Sequence, residues 1–366
     1  MICPNRLYPA MPDVISVGRG RVSARPGLLG FVTSVPLSVL DLAPVADGAS
    51  HAEALSHTTR LAQRTEQLGF HRFWVAEHHN MPGIASSAPA VLLAHLAANT
   101  STIRLGSGGV MLPNHAPLVV AEQFGTLVAL HPDRIDLGLG RAPGTDQVTA
   151  LALRRSMEAL SADDFPQELG RLIDYFGTGT GTPRVTAVPG RGDAPAIWLL
   201  GSSDFSARLA GRLGLPFSFA HHFSAANTDV ALSVYRDAFQ PSRWLEQPYA
   251  MVAVSAVCAP TDAEAEWLAG PAGLSFLRLR QGRPGRMPSP REAAEYPYTP
   301  MEREFVLSRR TGQALGSPQT VTAQLSGLLA RTGADELMLT TLVYDVDARI
   351  RSFELIAEQV APHLSR

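Results

Sequence analysis

The 366-residue chain contains no lysine; all 31 of its basic residues are arginine. A Schiff-base aldolase, a pyridoxal phosphate enzyme and a Walker-type ATPase each need a lysine amine, so those three classes are excluded. Only two cysteines are present, Cys3 and Cys258. They make no disulfide framework, and the expected compartment is the cytoplasm. No apolar run approaches the roughly 20 residues of a membrane span. The N-terminus lacks a charged region followed by an apolar one, so secretion is not expected. A net charge of −2 gives no pull toward nucleic acid or an acidic membrane. Hydrophobic residues at 45% against 17% charged leave room for a large core.

What is present is organised around Phe73-Trp-Val-Ala-Glu-His-His79. An apolar run ends in a carboxylate and two imidazoles, which reads as a buried strand (72–78) delivering titratable groups into a loop. Residues 1–34 show no period and read as an irregular extension. From residue 35 onward, strands and helices alternate. Strands are expected at 36–42, 72–78, 103–112, 134–140, 196–200, 216–220, 249–257 and 336–341. Ser50 caps a helix that stops at Gly69, and Pro117 opens one that runs to Leu130. Alternating β and α argues a parallel sheet, and a count of eight favours a closed (β/α)8 TIM barrel over an open doubly wound sheet. The Arg/Pro/Gly-rich stretch 270–316 reads as a lid-like insertion between strands seven and eight. Residues 35–366 are then one domain.

Five motifs have a chemical reading to weigh. Gly138-Leu-Gly140 with Gly144 is one residue too long for a dinucleotide fingerprint and follows the fourth strand, so a Rossmann site is rejected. Arg141, just past that strand, would share the barrel rim with Glu77 and His78 and suits an anion or a ring; a solvated loop arginine is the alternative. Gly108 and Gly109 interrupt a strand, where glycine marks a bulge or the close approach of a ligand ring. Gly201-Ser202-Ser203-Asp204 opens a helix whose free N–H groups can hold phosphate; an ordinary N-cap by Ser203 or Asp204 explains it equally. His221, His222 and Phe223 are candidates to shape a substrate pocket, with a packed role the alternative. No metal is expected, because adjacent histidines on a strand offer one side chain inward and nothing completes a ligand set.

Together these blocks resemble the bacterial luciferase-like, flavin-dependent monooxygenases. The resemblance rests on Trp74-Val-Ala-Glu-His-His-Asn80, Leu105-Gly-Ser-Gly-Gly-Val-Met-Leu-Pro-Asn114, Ala121-Glu-Gln-Phe124, Arg134-Ile-Asp-Leu-Gly-Leu-Gly-Arg-Ala-Pro-Gly144 and Leu199-Leu-Gly-Ser-Ser203. It runs from about Pro36 to Leu364 and looks closest to luciferase-like oxidoreductases of unassigned substrate. It implies that His78, with Glu77, is the catalytic acid/base. It implies a cis peptide between Gly108 and Gly109 behind the isoalloxazine, and Arg141 near the flavin or its phosphate. It implies a phosphate loop of Leu200, Gly201, Ser202 and Ser203, to which Arg154 adds a second charge. The glutamate that luciferase carries in this turn is Gly201 here, so that contact is not carried over.

The implied chemistry uses reduced FMN supplied by a separate flavin reductase. Oxygen adds at C4a to give a hydroperoxide, which oxygenates a small organic substrate inside a site closed against water. The resemblance also implies a homodimer through the second and third helices. Two alternatives share the barrel. The deazaflavin F420 would make the protein a hydride-transfer oxidoreductase. A flavin-binding store or sensor would have no turnover.

Overall fold

Caps and prolines set where the elements begin. Ser50 and Glu53 close a capping box, with the Ser50 amide donating to Glu53 Oε2 at 2.7 Å, and α1 (His51–Gln67) starts there. Proline leads both α2 (Pro89–Ala98) and α3 (Pro117–Leu130), where its missing N–H costs no helical bond. The computed structural model describes residues 35–142, 144–154 (Arg154 by its backbone alone), 164–177 and 184–365. The expected irregular extension at 1–34 lies outside the described residues.

The chain opens with β1 (Leu37–Asp41), and β2 (Arg72–Val75) follows α1. After α2 come β3 (Arg104–Met111), α3 and β4 (Ile135–Gly140). Two helices follow, α4 (Gln147–Arg154) and α5 (Phe165–Phe176), before β5 (Ala196–Gly201) and α6 (Asp204–Leu213). Then come β6 (Phe217–Ala220), α7 (Thr228–Ala238), β7 (Ala250–Cys258) and α8 (Asp262–Arg280). The short α9 (Pro290–Glu295) and α10 (Pro300–Ser308) precede β8 (Ala314–Gly316). The last elements are α11 (Pro318–Thr332), β9 (Glu336–Thr340) and α12 (Val346–Leu355).

Strands β1 to β7 pair in parallel, each with the next, and β9 pairs with both β7 and β1. That closes an eight-stranded parallel barrel ringed by helices, a TIM barrel. Strands β1, β2, β4 and β9 are buried along their whole length, as expected when both faces are covered.

Three boundaries depart from expectation. The second strand ends at Val75, because the Ser86 hydroxyl and carbonyl engage Ala76 and His78 and turn the chain away; Glu77, His78 and His79 therefore stand in a loop. Helix α8 starts at Asp262, capped by Thr261, so residue 270 falls inside it. The inserted region also carries an extra strand, β8, on the end of β7 outside the ring, so the expected eighth strand is β9.

The N-terminal end of the barrel is plugged by charge. Arg72 Nη1 donates to Asp136 at 2.7 Å, and its Nε donates to Glu336 at 2.8 Å. Asp136 also accepts from Trp74 Nε1 at 3.0 Å and from Arg104 Nη2 at 2.6 Å. Glu336 accepts from the Tyr249 hydroxyl at 2.9 Å and from Ser38. The Arg72 guanidinium lies 4.8 Å from the Trp198 ring. The flanking carboxylates outweigh burial and hold Arg72 more firmly protonated than usual. This leaves the C-terminal end for the loops.

Candidate active site

The strand ends of the C-terminal face enclose an inner cavity of about 250 Å³. It meets an outer one of about 710 Å³ at Leu42, His78, Phe223, Phe276 and Leu342. His78 thus stands at the neck. Its Nδ1 donates to the Gly144 carbonyl at 3.2 Å, which leaves Nε2 as the lone-pair nitrogen of the neutral ring. Burial lowers its pKa; the Gly144 bond and the Glu77 charge pull the other way and lose. The result is an imidazole kept neutral near pH 7, able to accept a proton.

Glu77 is brought close but lines neither cavity. Its carboxylate is fully buried and accepts from His79 Nε2 and His115 Nε2, both at 2.9 Å, and from the Met111 amide at 3.1 Å. Burial raises its pKa, yet these bonds, led by His115, more than offset that and keep it ionised. Glu77 therefore ties its own loop to the end of β3 and the turn that follows it, behind His78.

The Gly108–Gly109 peptide is cis, and the β3–β4 register shifts between Gly108 and Val110. A Cβ on Gly108 would meet Leu40 Cδ1 at 2.6 Å, and one on Gly109 would meet Leu200 Cδ1 at 2.5 Å. The leucine ends can yield, but a Cβ on Gly109 would also meet the backbone Gly138 oxygen at 2.7 Å, so packing alone demands glycine at Gly109 and not at Gly108. Gly108 still presents bare backbone to the inner cavity.

Across the cavity, Leu200, Gly201, Ser202 and Ser203 run from the end of β5 into α6. Ser203 occupies the N-cap position but makes no side-chain capping bond, so the first amides of α6 are left for another acceptor. Arg141 reaches the same end, its guanidinium 4.3 Å from the ring of Phe205 in the first turn of α6. Among the described residues Arg141 has no ion-pair partner. The side chain of Arg154, at the end of α4, lies outside the described residues.

The family profile of luciferase-like monooxygenases matches residues 35–336. The chain belongs to the luciferase-like monooxygenase family. A relative in that family, the luciferase-like monooxygenase of Escherichia coli, is 48% identical over 322 residues, 88% of this chain and 96% of its own. The N-acetyl-S-alkylcysteine monooxygenase of Bacillus subtilis is 36% identical over 334 residues, 89% and 98% of the two chains. Apo-MsnO8 superposes with a TM-score of 0.83 at 40% identity, over 91% of this chain and all of its own. The fold alone is shared at lower identity. An FMN-bound type II Baeyer–Villiger monooxygenase of Pseudomonas putida has a TM-score of 0.70 at 21%, covering 91% and 100% of the chains. An F420-dependent secondary alcohol dehydrogenase has a TM-score of 0.63 at 14%, with the same coverage.

Within this family framework the structure adds residues that sequence reasoning missed. His115 and Asn114 follow β3 and hold Glu77, and only their place in the fold reveals it. The pair after β6 divides: His221 is buried against Thr228 Oγ1 at 2.6 Å, whereas His222 and Phe223 line the inner cavity. His222 Nδ1 donates to the Ala253 carbonyl at 2.9 Å. Burial pushes its pKa down to about 4 against that bond, with smaller effects in the same direction from His221, Arg309 and His78. The unfolded chain then takes up this proton first, so stability is lost as pH falls from the ordinary value of 6.5 toward 4. Denaturant midpoints measured from pH 7 to 4 should fall less steeply for His222→Gln than for the wild type.

Proposed function

We propose that the protein is a monooxygenase that uses reduced FMN and O2 to oxygenate a small organic substrate. The observation that carries this reading is one cavity with three parts. It has an uncapped helix start beside Arg141, bare backbone at Gly108 opposite, and neutral His78 at the neck. These residues fit the cofactor. The α6 amides, Ser202, Ser203 and Arg141 would hold the phosphate, since helix N-termini and guanidinium both favour anions. Leu200 and Gly108 would flank the ring. Bound reduced FMN supplies the electrons and the point at which O2 is activated.

The protein's own part is to bind, to exclude water and to accept a proton. The insertion supplies Phe276, Leu279, Pro284 and Met287 to the outer cavity, and Met287 is tied to Val45 and Asp47 by backbone bonds of 2.9 and 2.8 Å. We read this segment as the cover that excludes water. His78 Nε2 accepts a proton at the reacting end and can return it, and Glu77 fixes the loop that carries it. The relative that oxygenates N-acetyl-S-alkylcysteines supports a small, soluble organic substrate. Reduced FMN would come by diffusion from a reductase, because one barrel cavity serves one flavin. We place the protein in the cytoplasm as a homodimer through α2 and α3, where Val91 and Val119 are exposed.

The test is a titration of the purified protein with FMN, reduced FMN and F420, followed by oxygen uptake with supplied reduced FMN. Binding of F420 without FMN would sink the monooxygenase and favour hydride transfer. Binding of FMN with no oxygen uptake would favour a store or sensor. A sharper check uses Arg141→Ala. It should weaken FMN by about 10–100-fold, the value of one charged hydrogen bond, and leave riboflavin, which lacks the phosphate, almost unchanged. Equal losses for both ligands would move Arg141 away from the phosphate.

A further inference from the structure

The inner cavity holds one arginine more than phosphate recognition uses. Arg141 stands at the start of α6. Arg309 comes from elsewhere, immediately after α10 in the insertion, and among the described residues no aspartate or glutamate lines this cavity. Arg309 Nη2 donates to the His222 carbonyl at 3.2 Å, and its guanidinium lies 4.7 Å from the Phe276 ring. Among the described residues its buried Nε has no hydrogen-bond partner. Among the described residues it has no carboxylate partner, whereas the adjacent Arg310 pairs with Glu266. Thr340, on the end of β9, lines the same cavity, as does Gln313, and its buried Oγ1 likewise has no partner among the described residues. Buried polar atoms are normally bonded, so two unpartnered ones in residues that line a single cavity point to a missing ligand group.

The charge of that group follows from the wall. His222 is held neutral, so among the described residues Arg141 and Arg309 are the fixed charges lining the cavity, and both are positive. A guanidinium braced by a ring and a carbonyl is pre-organised to receive a planar anion. The cavity next to it is apolar along Leu42, Pro44, Met81, Ile84 and Leu279, and Phe276 belongs to both.

We propose that Arg309, with Gln313 and Thr340, binds a carboxylate of the substrate, and that the protein acts on small organic acids with an apolar tail. The tail lies in the outer cavity and the acid group at Arg309. This rests on the FMN reading, which assigns the other arginine to the phosphate.

The experiment titrates the FMN-loaded protein with hexanoate and with hexan-1-ol, read by calorimetry and by the flavin absorbance. Hexanoate should bind about 10-fold or more tightly than the alcohol, the worth of a charge-assisted bond. Arg309→Met keeps the length and the contact with Phe276 but removes the charge. It should abolish the preference and leave the FMN Kd within about 2-fold, while Arg309→Lys should keep part of the preference. Equal binding of the two ligands overturns the proposal, as does a hexanoate preference that survives in Arg309→Met. A loss of FMN affinity in Arg309→Met with the preference intact also overturns it and gives the cation to the flavin. Wild-type protein that takes up no FMN removes the underlying reading, and the proposal falls with it. FMN uptake without a hexanoate preference sinks the proposal alone. If Arg309→Met does not fold, Arg309→Lys and Arg309→Gln carry the comparison.

Discussion

Asp136→Ala should cost the barrel about 3–5 kcal/mol, the usual penalty for stranding a buried charge. That is a large part of the roughly 5–15 kcal/mol by which a typical domain is stable. The cost comes from what the carboxylate leaves behind. Arg72, Trp74 and Arg104 all donate to Asp136, and after the substitution only Glu336 remains to balance Arg72. Asp136 is fully buried and water cannot readily replace it. Urea denaturation measures the effect. Asp136→Asn, which keeps the shape and can still accept, should be milder. A change below about 1 kcal/mol in Asp136→Ala would put this network in the class of exposed ion pairs, which contribute little.

His78→Ala should slow the proton-dependent part of the reaction by about 10²–10⁴-fold, the range for a positioned acid/base, while FMN affinity holds. The separation follows from place: His78 stands at the neck between the cavities, away from the Arg141 and Ser202 end. Single-turnover reoxidation of bound reduced FMN by O2, followed at the oxidised flavin band, gives the rate. The pH dependence gives the assignment. His78 acts as a base only when neutral, and its pKa is depressed below 6.5. Activity should therefore persist through neutrality and fall as pH drops through that lowered value. The alanine variant should show no such limb. An unchanged acid limb in His78→Ala would pass the role to another group.

Glu77→Gln makes a milder companion. It keeps an oxygen acceptor for the Met111 amide but removes the charge that draws His79 and His115 together. Loosening there should disturb His78 through the loop alone, because Glu77 itself lines neither cavity.

The barrel was legible because its signals are local. The run 72–75 is apolar and bounded, Ser50 and Glu53 stand three apart, and Pro117 marks a helix start that the structure places at that residue. Strand β8 was not legible, since three residues carry no period and its pairing with β7 is fixed from some 58 residues away (Ala256 to Ala314). The start of α8 was hidden by Pro271, which sits within that helix where a break would be expected. Among site residues, His78, Arg141 and the Ser202–Ser203 turn follow strand ends, so chain order alone brings them to one face. Arg309 gives no such cue. It is one arginine among many in a polar insertion, and only its seat beside Phe276 and His222 separates it from the others. Glu77 is adjacent to His78 in sequence, but its partners His79, His115 and the Met111 amide were not legible there, because successive loop residues face different surroundings.

The ionic plug and the cavity sit at opposite ends of the same strands, and this has an evolutionary meaning. Substitutions at Phe276, Leu279 or Arg309 can retune which molecules are accepted without touching Asp136, Arg72 or Glu336. Ancestral copies of such a chain could drift from one substrate to another while their melting behaviour stayed constant. Selectivity and persistence would then be inherited as separate traits of one polypeptide.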